Sequence, residues 1–225
     1  MALKLALFDC DGTLADSAHA IVTAMRQAFV SCGEPMPHDD LIRRAIGLSL
    51  PRLIAGLAPD ADSATRSALV EAYREAYLCQ RNQAGPAPEP LFDGMLAVLT
   101  SLASSGWQLG IATGKSQRGL LRLLDAHGIT DLFATLQTAD FYPSKPDPAM
   151  ARAAIAQASV RADRCVVIGD TSFDMAMAKS AGAHAVGVAW GGHGEAELLV
   201  AGAAEVVSHP EMLVTAINRR LEIAQ

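Results

Sequence analysis

The sequence predicts an α/β fold: a doubly wound, mostly parallel sheet with an all-helical module inserted after its first strand. Three observations carry this expectation. From Phe92 onward, short apolar runs alternate with segments of helical period. The runs are continuously apolar, which marks strands covered on both faces. Between the first run, Leu3–Phe8, and that alternation, residues 18–78 show helical spacing and no strand pattern.

Leu3–Phe8 is the first strand, ending at the polar Asp9-Cys10-Asp11-Gly12-Thr13. Ile21, Val22, Met25, Ala28 and Phe29 then recur at helical spacing. Further helices are expected over Leu41–Ile46, Pro51–Leu57 and Ser63–Leu78, with Asp62 or Ser63 as the cap of the last. The proline-rich Gly85–Pro90 reads as a stiff hinge. Beyond it the expected order is helix Phe92–Leu102, strand Trp107–Ala112, helix Gln117–His127, strand Phe133–Gln137 and helix Pro148–Gln157. Strand Cys165–Ile168, helix Phe173–Ala181, strands Ala185–Ala189 and Ala204–Val207, and helix Glu211–Leu221 complete it. Gly128 and Gly182 stand where helices stop. The layout implies a Rossmann-like core discontinuous in sequence, near 1–16 plus 88–225, and a helical module near 17–87.

Composition narrows the function classes. Hydrophobic residues make up 51% and charged residues 19%, so the chain folds around a core. A net charge of −6 offers no basic field for nucleic acid or an anionic membrane. An anionic ligand must therefore be held locally, by backbone N–H groups, one or two lysines, or a bound cation. Cys10, Cys32, Cys79 and Cys165 form no C-x-x-C pair, a usage that fits a reducing compartment. The histidines lack zinc-type spacing. The N-terminus lacks a signal-peptide layout, and no uncharged apolar run reaches ~18 residues. The expected location is the cytoplasm, with no membrane and no nucleic-acid partner.

The chemistry-bearing residues all follow strands. In open parallel sheets ligands bind beyond the carboxyl ends of the strands. Asp9 and Asp11 follow the first strand, Thr113 and Gly114 the Trp107–Ala112 strand, Lys145 the Phe133–Gln137 strand, and Asp170 and Asp174 the Cys165–Ile168 strand. Crowded carboxylates repel unless a cation intervenes. Oxygen ligands suit Mg²⁺, and Mg²⁺ together with Lys145 would keep Asp9 ionised. An ionised carboxylate is a competent nucleophile toward phosphorus. The equatorial oxygens of a phosphoryl group call for an ammonium, a hydroxyl and backbone N–H donors, which Lys145, Thr113 and Gly114 can supply. Asp11 needs to hold and release one proton near the leaving oxygen.

These residues also carry a resemblance. Asp9-Cys10-Asp11-Gly12-Thr13-Leu14-Ala15-Asp16-Ser17 resembles the first motif of the haloacid dehalogenase-like (HAD) superfamily of aspartate-nucleophile phosphohydrolases. Thr113-Gly114-Lys115 is similar to its second motif, Lys145-Pro146-Asp147-Pro148 to its third, and Gly169-Asp170-Thr171-Ser172-Phe173-Asp174 to its fourth. The motifs occur in order over essentially the whole chain, and the helical insert falls where the phosphoglycolate-phosphatase-like branch carries its cap. The resemblance implies that Asp9 forms an aspartyl-phosphate and that Asp11 protonates the leaving group and then activates water. It implies that Thr113 and Lys145 hold the phosphoryl oxygens. Mg²⁺ would be bound by the Asp9 carboxylate, the Asp11 carbonyl and the Asp170 carboxylate, with Asp174 behind them or acting through a water. The substrate implied is a small phosphomonoester. Cys10 stands where a larger apolar residue is usual, and Gly114 where many relatives have asparagine.

Other readings bear on single residues. Asp16 and Ser17 are expected to cap the first inserted helix. Arg43, Arg44, Gly47 and Ser49 lie near the substrate-facing cap loop of the family; an arginine there recognises an anion or simply decorates an exposed helix. His193 rims the site or is structural. On the same scaffold, a sugar-phosphate mutase would return the phosphoryl group to its substrate. A 2-haloacid dehalogenase would need no metal, against which Asp11 and Asp170 weigh. A phosphoryl-accepting receiver domain shares the acids, threonine and lysine but has no helical insert after its first strand. Closure of the cap is expected to hinge near Ala15–Ser17 and Gly85–Pro90.

Overall fold

The computed structural model describes residues 3–83 and 89–222. Its core is a six-stranded parallel sheet in the order β3-β2-β1-β4-β5-β6. The strands are β1 (Leu5–Phe8), β2 (Gln108–Thr113), β3 (Phe133–Thr138), β4 (Cys165–Gly169), β5 (His184–Val188) and β6 (Glu205–Val207). β1 pairs in parallel with β2 on one side and β4 on the other. The chain builds outward through β2 and β3, then crosses back to β4, so the order reverses at β1/β4. A crevice opens at such a switch point beyond the strand ends. Asp9 follows β1 and Asp170 follows β4, so both lie at that crevice.

Side-chain alternation explains why β1 is apolar throughout. Ala6 and Phe8 enter one core with Ile111, Leu99, Leu120 and Ile217. Leu5 and Leu7 enter the other with Val167, Met150, Met175 and Leu198. The first face is covered by α5 (Met95–Ser104), α6 (Gln117–Ala126) and α10 (Leu213–Glu222), the second by α7 (Ala149–Gln157), α8 (Ser172–Ala181) and α9 (Glu195–Ala201).

Between β1 and β2 the chain first makes α1 (Ala18–Cys32), α2 (Asp39–Ala45), α3 (Leu50–Leu57) and α4 (Ser63–Gln83). These helices close on a core of their own, formed by Met25, Phe29, Ile42, Ile54 and Leu69. The two strands of chain that join this bundle to the sheet run side by side. Asp16 N–H donates to Pro90 O at 2.9 Å, and Phe92 N–H donates to Leu14 O at 3.0 Å. Of the hinge expected at Gly85–Pro90, residues 85–88 lie outside the described residues.

Three elements differ most from the sequence reading. The helix expected over Ser63–Leu78 continues to Gln83. The helix expected from Phe92 begins at Met95, because Gly94 precedes it in the left-handed region at φ +83°. Helix α9 was not foreseen: Glu-Ala-Glu-Leu-Leu-Val-Ala shows too little of the helical repeat, although Gly202 ends it in the left-handed conformation.

Candidate active site

At the crevice, three carboxylates and one ammonium meet out of contact with water. Lys145 Nζ lies 2.7 Å from Asp9 Oδ1 and 2.6 Å from Asp174 Oδ1, and all three side chains are fully buried. Asp170 is held by two donors: Thr13 Oγ1 donates to Oδ1 and Gly192 N–H donates to Oδ2, both at 2.7 Å. Asp174 Oδ2 accepts from the Thr171 hydroxyl at 2.6 Å and from the Thr171 N–H at 3.2 Å. Thr171 in turn accepts from Asp174 N–H, a reciprocal capping box at the start of α8. Asp174 thus caps its helix and steadies Lys145 at once. Asp9 Oδ2 is different: among the described residues it is buried with no donor and no cation.

The charges do not balance. Counted as ionised, Asp9, Asp170 and Asp174 against Lys145 would leave two negative charges in a buried space. Burial raises the Asp9 carboxyl well above its usual range; Lys145 opposes this, and Asp174 and Asp170 add to it. Asp170 is pushed up to about 6, by burial and then by Asp174, against the pull of Gly192, Thr13 and Lys145. Burial alone would lower the Lys145 ammonium, but Asp174 and Asp9 more than offset it, so Lys145 stays charged. Oxygens of Asp9, Asp170 and Asp174 lie within 4.8 Å of one another. A compact, all-oxygen cluster with an excess of two negative charges fits a divalent, hard cation.

Asp11 faces a separate network. Its Oδ1 accepts from Ser17 Oγ at 2.6 Å and from Lys115 Nζ at 2.8 Å. Lys115 also meets Glu89 Oε2 at 3.1 Å, and Glu89 accepts from the Tyr77 hydroxyl. The side chains of Lys115, Asp11 and Glu89 are only 9%, 10% and 11% exposed. Burial pulls the Lys115 ammonium down, yet Asp11, Tyr77 and Glu89 raise it well above its usual value overall. Asp11 is therefore gripped by the motif after β2, by both linkers and, through Tyr77, by α4. The sequence reading missed Lys115 and Glu89. Lys115 stood in a quoted motif, but nothing local showed that its side chain turns back across β1.

Ser17 corrects an expectation. It occupies the N-cap position of α1, but its side chain makes no capping bond there. The hydroxyl is used by Asp11 instead. Thr113 is fully buried, and its Oγ1 accepts from Lys115 N–H at 3.1 Å, which shapes the turn after β2.

The helical bundle sits directly on this site. A Cβ on Gly114 would stand 2.4 Å from the Leu48 carbonyl oxygen, so only glycine allows the loop so close. Gly47 is in the left-handed region at φ +98°, and a Cβ there would lie 3.5 Å from Asp9 Oδ2. Ser49 N–H donates to Ser144 Oγ at 2.8 Å, next to Lys145. Gly47 and Ser49 are thus brought to the acidic edge of the sheet.

The arginines of α2 are not. Arg44 makes two 2.9 Å bonds to Glu197 at the start of α9, and the Arg43 side chain is exposed. His193 completes this docking. Its Nδ1 accepts from Ser172 N–H at 3.0 Å, which places the ring proton on Nε2, 2.9 Å from the Arg44 carbonyl. The expected anion reader at Arg44 is a contact between bundle and sheet, because α9 puts a carboxylate opposite it.

Together these features define a doubly wound hydrolase fold whose acidic switch-point site is roofed by a helical cap. Comparison with known proteins gives the family. Residues 6–188 match a family model described as haloacid dehalogenase-like hydrolase. The chain is 32% identical over 223 residues to "Probable phosphatase IndB" of Dickeya dadantii (strain 3937), covering 98% of this chain and 96% of that one. It is 33% identical over 209 residues to "Tyrosine-protein kinase PtkA" of Mycobacterium tuberculosis (strain ATCC 25618 / H37Rv), covering 92% and 68%. It is 30% identical over 202 residues to the phosphoglycolate phosphatase of Rhodospirillum rubrum, covering 84% and 80%. Among solved structures, a hydrolase from Pseudomonas syringae superposes with a TM-score of 0.84 at 27% identity, covering 96% of this chain and 98% of that one. The chain belongs to the haloacid dehalogenase-like hydrolases, in their phosphoglycolate-phosphatase-like branch. Its reaction class is that of a phosphoric monoester hydrolase.

Proposed function

We propose that the chain is a Mg²⁺-dependent phosphatase that hydrolyses a small phosphomonoester through an aspartyl-phosphate on Asp9. The observation that carries this is Asp9 Oδ2, a buried carboxylate oxygen with no donor among the described residues, while its twin is held 2.7 Å from Lys145. The Asp9 and Asp170 carboxylates and the Asp11 carbonyl would hold Mg²⁺, with Asp174 behind them. When bound, the ion supplies charge neutralisation that lets Asp9 ionise beside its acidic neighbours.

Asp9 Oδ2 attacks phosphorus, and the bond from phosphorus to the ester oxygen breaks. The departing oxygen takes a proton from Asp11, whose Oδ1 is pinned by Ser17 and Lys115 and whose other oxygen is left for the exchange. Asp11 then removes a proton from water. The water oxygen attacks the phosphorus of the aspartyl-phosphate, the bond from phosphorus to Asp9 Oδ2 breaks, and inorganic phosphate leaves. Lys145, the Thr113 hydroxyl and the Gly114 N–H hold the phosphoryl oxygens meanwhile. The cap loop at Gly47–Ser49 covers Asp9 and keeps bulk water from the phosphoenzyme.

The same reading assigns residues 1–16 and 88–225 to the catalytic core and 17–87 to the cap, with a cytoplasmic location suited to the cysteine usage. Repeated phosphate release from a panel of phosphomonoesters with Mg²⁺ tests the reaction. Asp9→Asn should reduce turnover by at least about a thousandfold, and EDTA should silence the parent enzyme. A variant that keeps most of its rate rules Asp9 out as nucleophile, and phosphoryl transfer to an acceptor without phosphate release identifies a transferase.

A further inference from the structure

Next to Asp11 a cavity of about 670 Å³ opens between the cap and the sheet edge. Its lining includes Asp11, the Gly47–Ser49 loop, Gly114 and Lys115, but not Asp9, Lys145 or Asp170. It therefore begins at the group assigned to the leaving oxygen and runs outward from there. In the proposed reaction this is the space for whatever the phosphoryl group is attached to.

The size and chemistry of the lining limit that group. About 670 Å³ holds roughly twenty waters, and lies in the ~300–1,000 Å³ range of pockets that enclose drug-sized ligands. A two-carbon hydroxy acid would displace only a few of those waters. One part of the wall is apolar, with Ile46, Leu50, Leu53 and the stacked ring of Tyr73. Another is cationic. Arg118 and Arg122 stand one helical turn apart on α6, so both project from one face. Arg81 meets the same cavity from α4 on the cap side.

Arg74, also in the lining, is bound to Glu71 at 2.6 Å. Among the described residues, Arg81, Arg118 and Arg122 have no ion pair. The two carboxylates of the lining are engaged elsewhere: Asp11 by Lys115, and Asp140 by the N–H of Gln117 at 2.7 Å. In a chain with a net charge of −6, three arginines around one cavity with no ion pair among the described residues call for an anion from outside.

We infer that the leaving group is an extended molecule with a partly apolar body and a second anionic group, carboxylate or phosphate, read by Arg81, Arg118 and Arg122. This rests on the phosphatase reading, since it takes Asp11 as the boundary between phosphoryl group and leaving group. It moves anion recognition from Arg43 and the docked Arg44, which do not line the cavity, to three arginines that do, Arg118 at its exposed side.

The test compares kcat/KM for a hexose monophosphate, a hexose bisphosphate, a phosphorylated sugar acid and 2-phosphoglycolate, with Mg²⁺ present. The bisphosphate or the sugar acid should exceed the monophosphate at least tenfold, and whichever does so identifies the second anion. In the Arg118→Gln/Arg122→Gln protein that ratio should fall at least tenfold, since each charge-assisted contact is worth about a factor of ten or more. Glutamine keeps the helix propensity, so folding is little disturbed. A preference for 2-phosphoglycolate, or a ratio unmoved by the double substitution, overturns the inference. If no ester is turned over, the phosphatase reading fails. The cavity is then tested by calorimetry with the bisphosphate and the monophosphate. Tighter binding of the bisphosphate that the double substitution abolishes supports the arginine site; equal binding refutes it.

Discussion

Replacing Lys115 by methionine would remove the one cation that joins Asp11 to Glu89. The ammonium stands 2.8 Å from Asp11 and 3.1 Å from Glu89. At an effective dielectric constant of about 20 these contacts correspond to roughly 6 and 5 kcal/mol of gross attraction. Desolvation of the ammonium cancels several kcal/mol of that, and losing one member of a buried pair costs about 3–5 kcal/mol. For a chain of this size the melting temperature should fall by roughly 6–20 °C. Glu89→Gln in the same protein should recover part of the loss, because only one carboxylate charge is then left without a cation; a double-mutant cycle in urea measures this coupling. Activity provides the second readout. If Lys115 holds Asp11 in place to donate a proton, Lys115→Met should slow an alkyl phosphate much more than a nitrophenyl phosphate, whose leaving group needs no acid. A stability change within about 0.5 kcal/mol, together with equal loss on both esters, would refute the argument.

Further tests follow from the geometry. Asp170 carries a carboxyl raised to about 6 from an unfolded value near 3.8. Between those values the folded protein keeps a proton that the unfolded chain has lost. Without metal, this contribution to stability is therefore complete below about pH 4 and disappears as pH rises through 6. Mg²⁺ competes with that proton, so its stabilising effect should grow from pH 5 to 7 in melting curves; a shift independent of pH would count against Asp170 as a ligand. Gly114→Ala places a methyl 2.4 Å from the Leu48 carbonyl and should push the cap loop away. KM should rise severalfold with little change in global stability, and unchanged kinetics would mean that this contact plays no part in closure.

Much of this protein was legible along the chain. Continuous apolar runs such as Leu5–Phe8 and Cys165–Gly169 declared strands buried on both faces, and the parallel sheet follows from that. Acids placed immediately after strands declared the edge at which a site forms. Local pattern suffices for this because strand period, burial and strand ends are properties of short windows.

The remainder needed the folded chain. Lys115 meets Asp11 from 104 residues away and Glu89 from 26, and no periodicity encodes such meetings. Ser17 looked like a helix cap because local sequence cannot show a competing acceptor across a turn. Arg44 found its partner on a seven-residue helix too short to announce itself. Arg81 of α4 and Arg118 and Arg122 of α6 share a cavity only after the cap is set down on the sheet. Sequence specifies which groups can do chemistry, since that depends on residue type and strand register; the tertiary structure decides which of them touch, since contacts between distant segments are settled by packing.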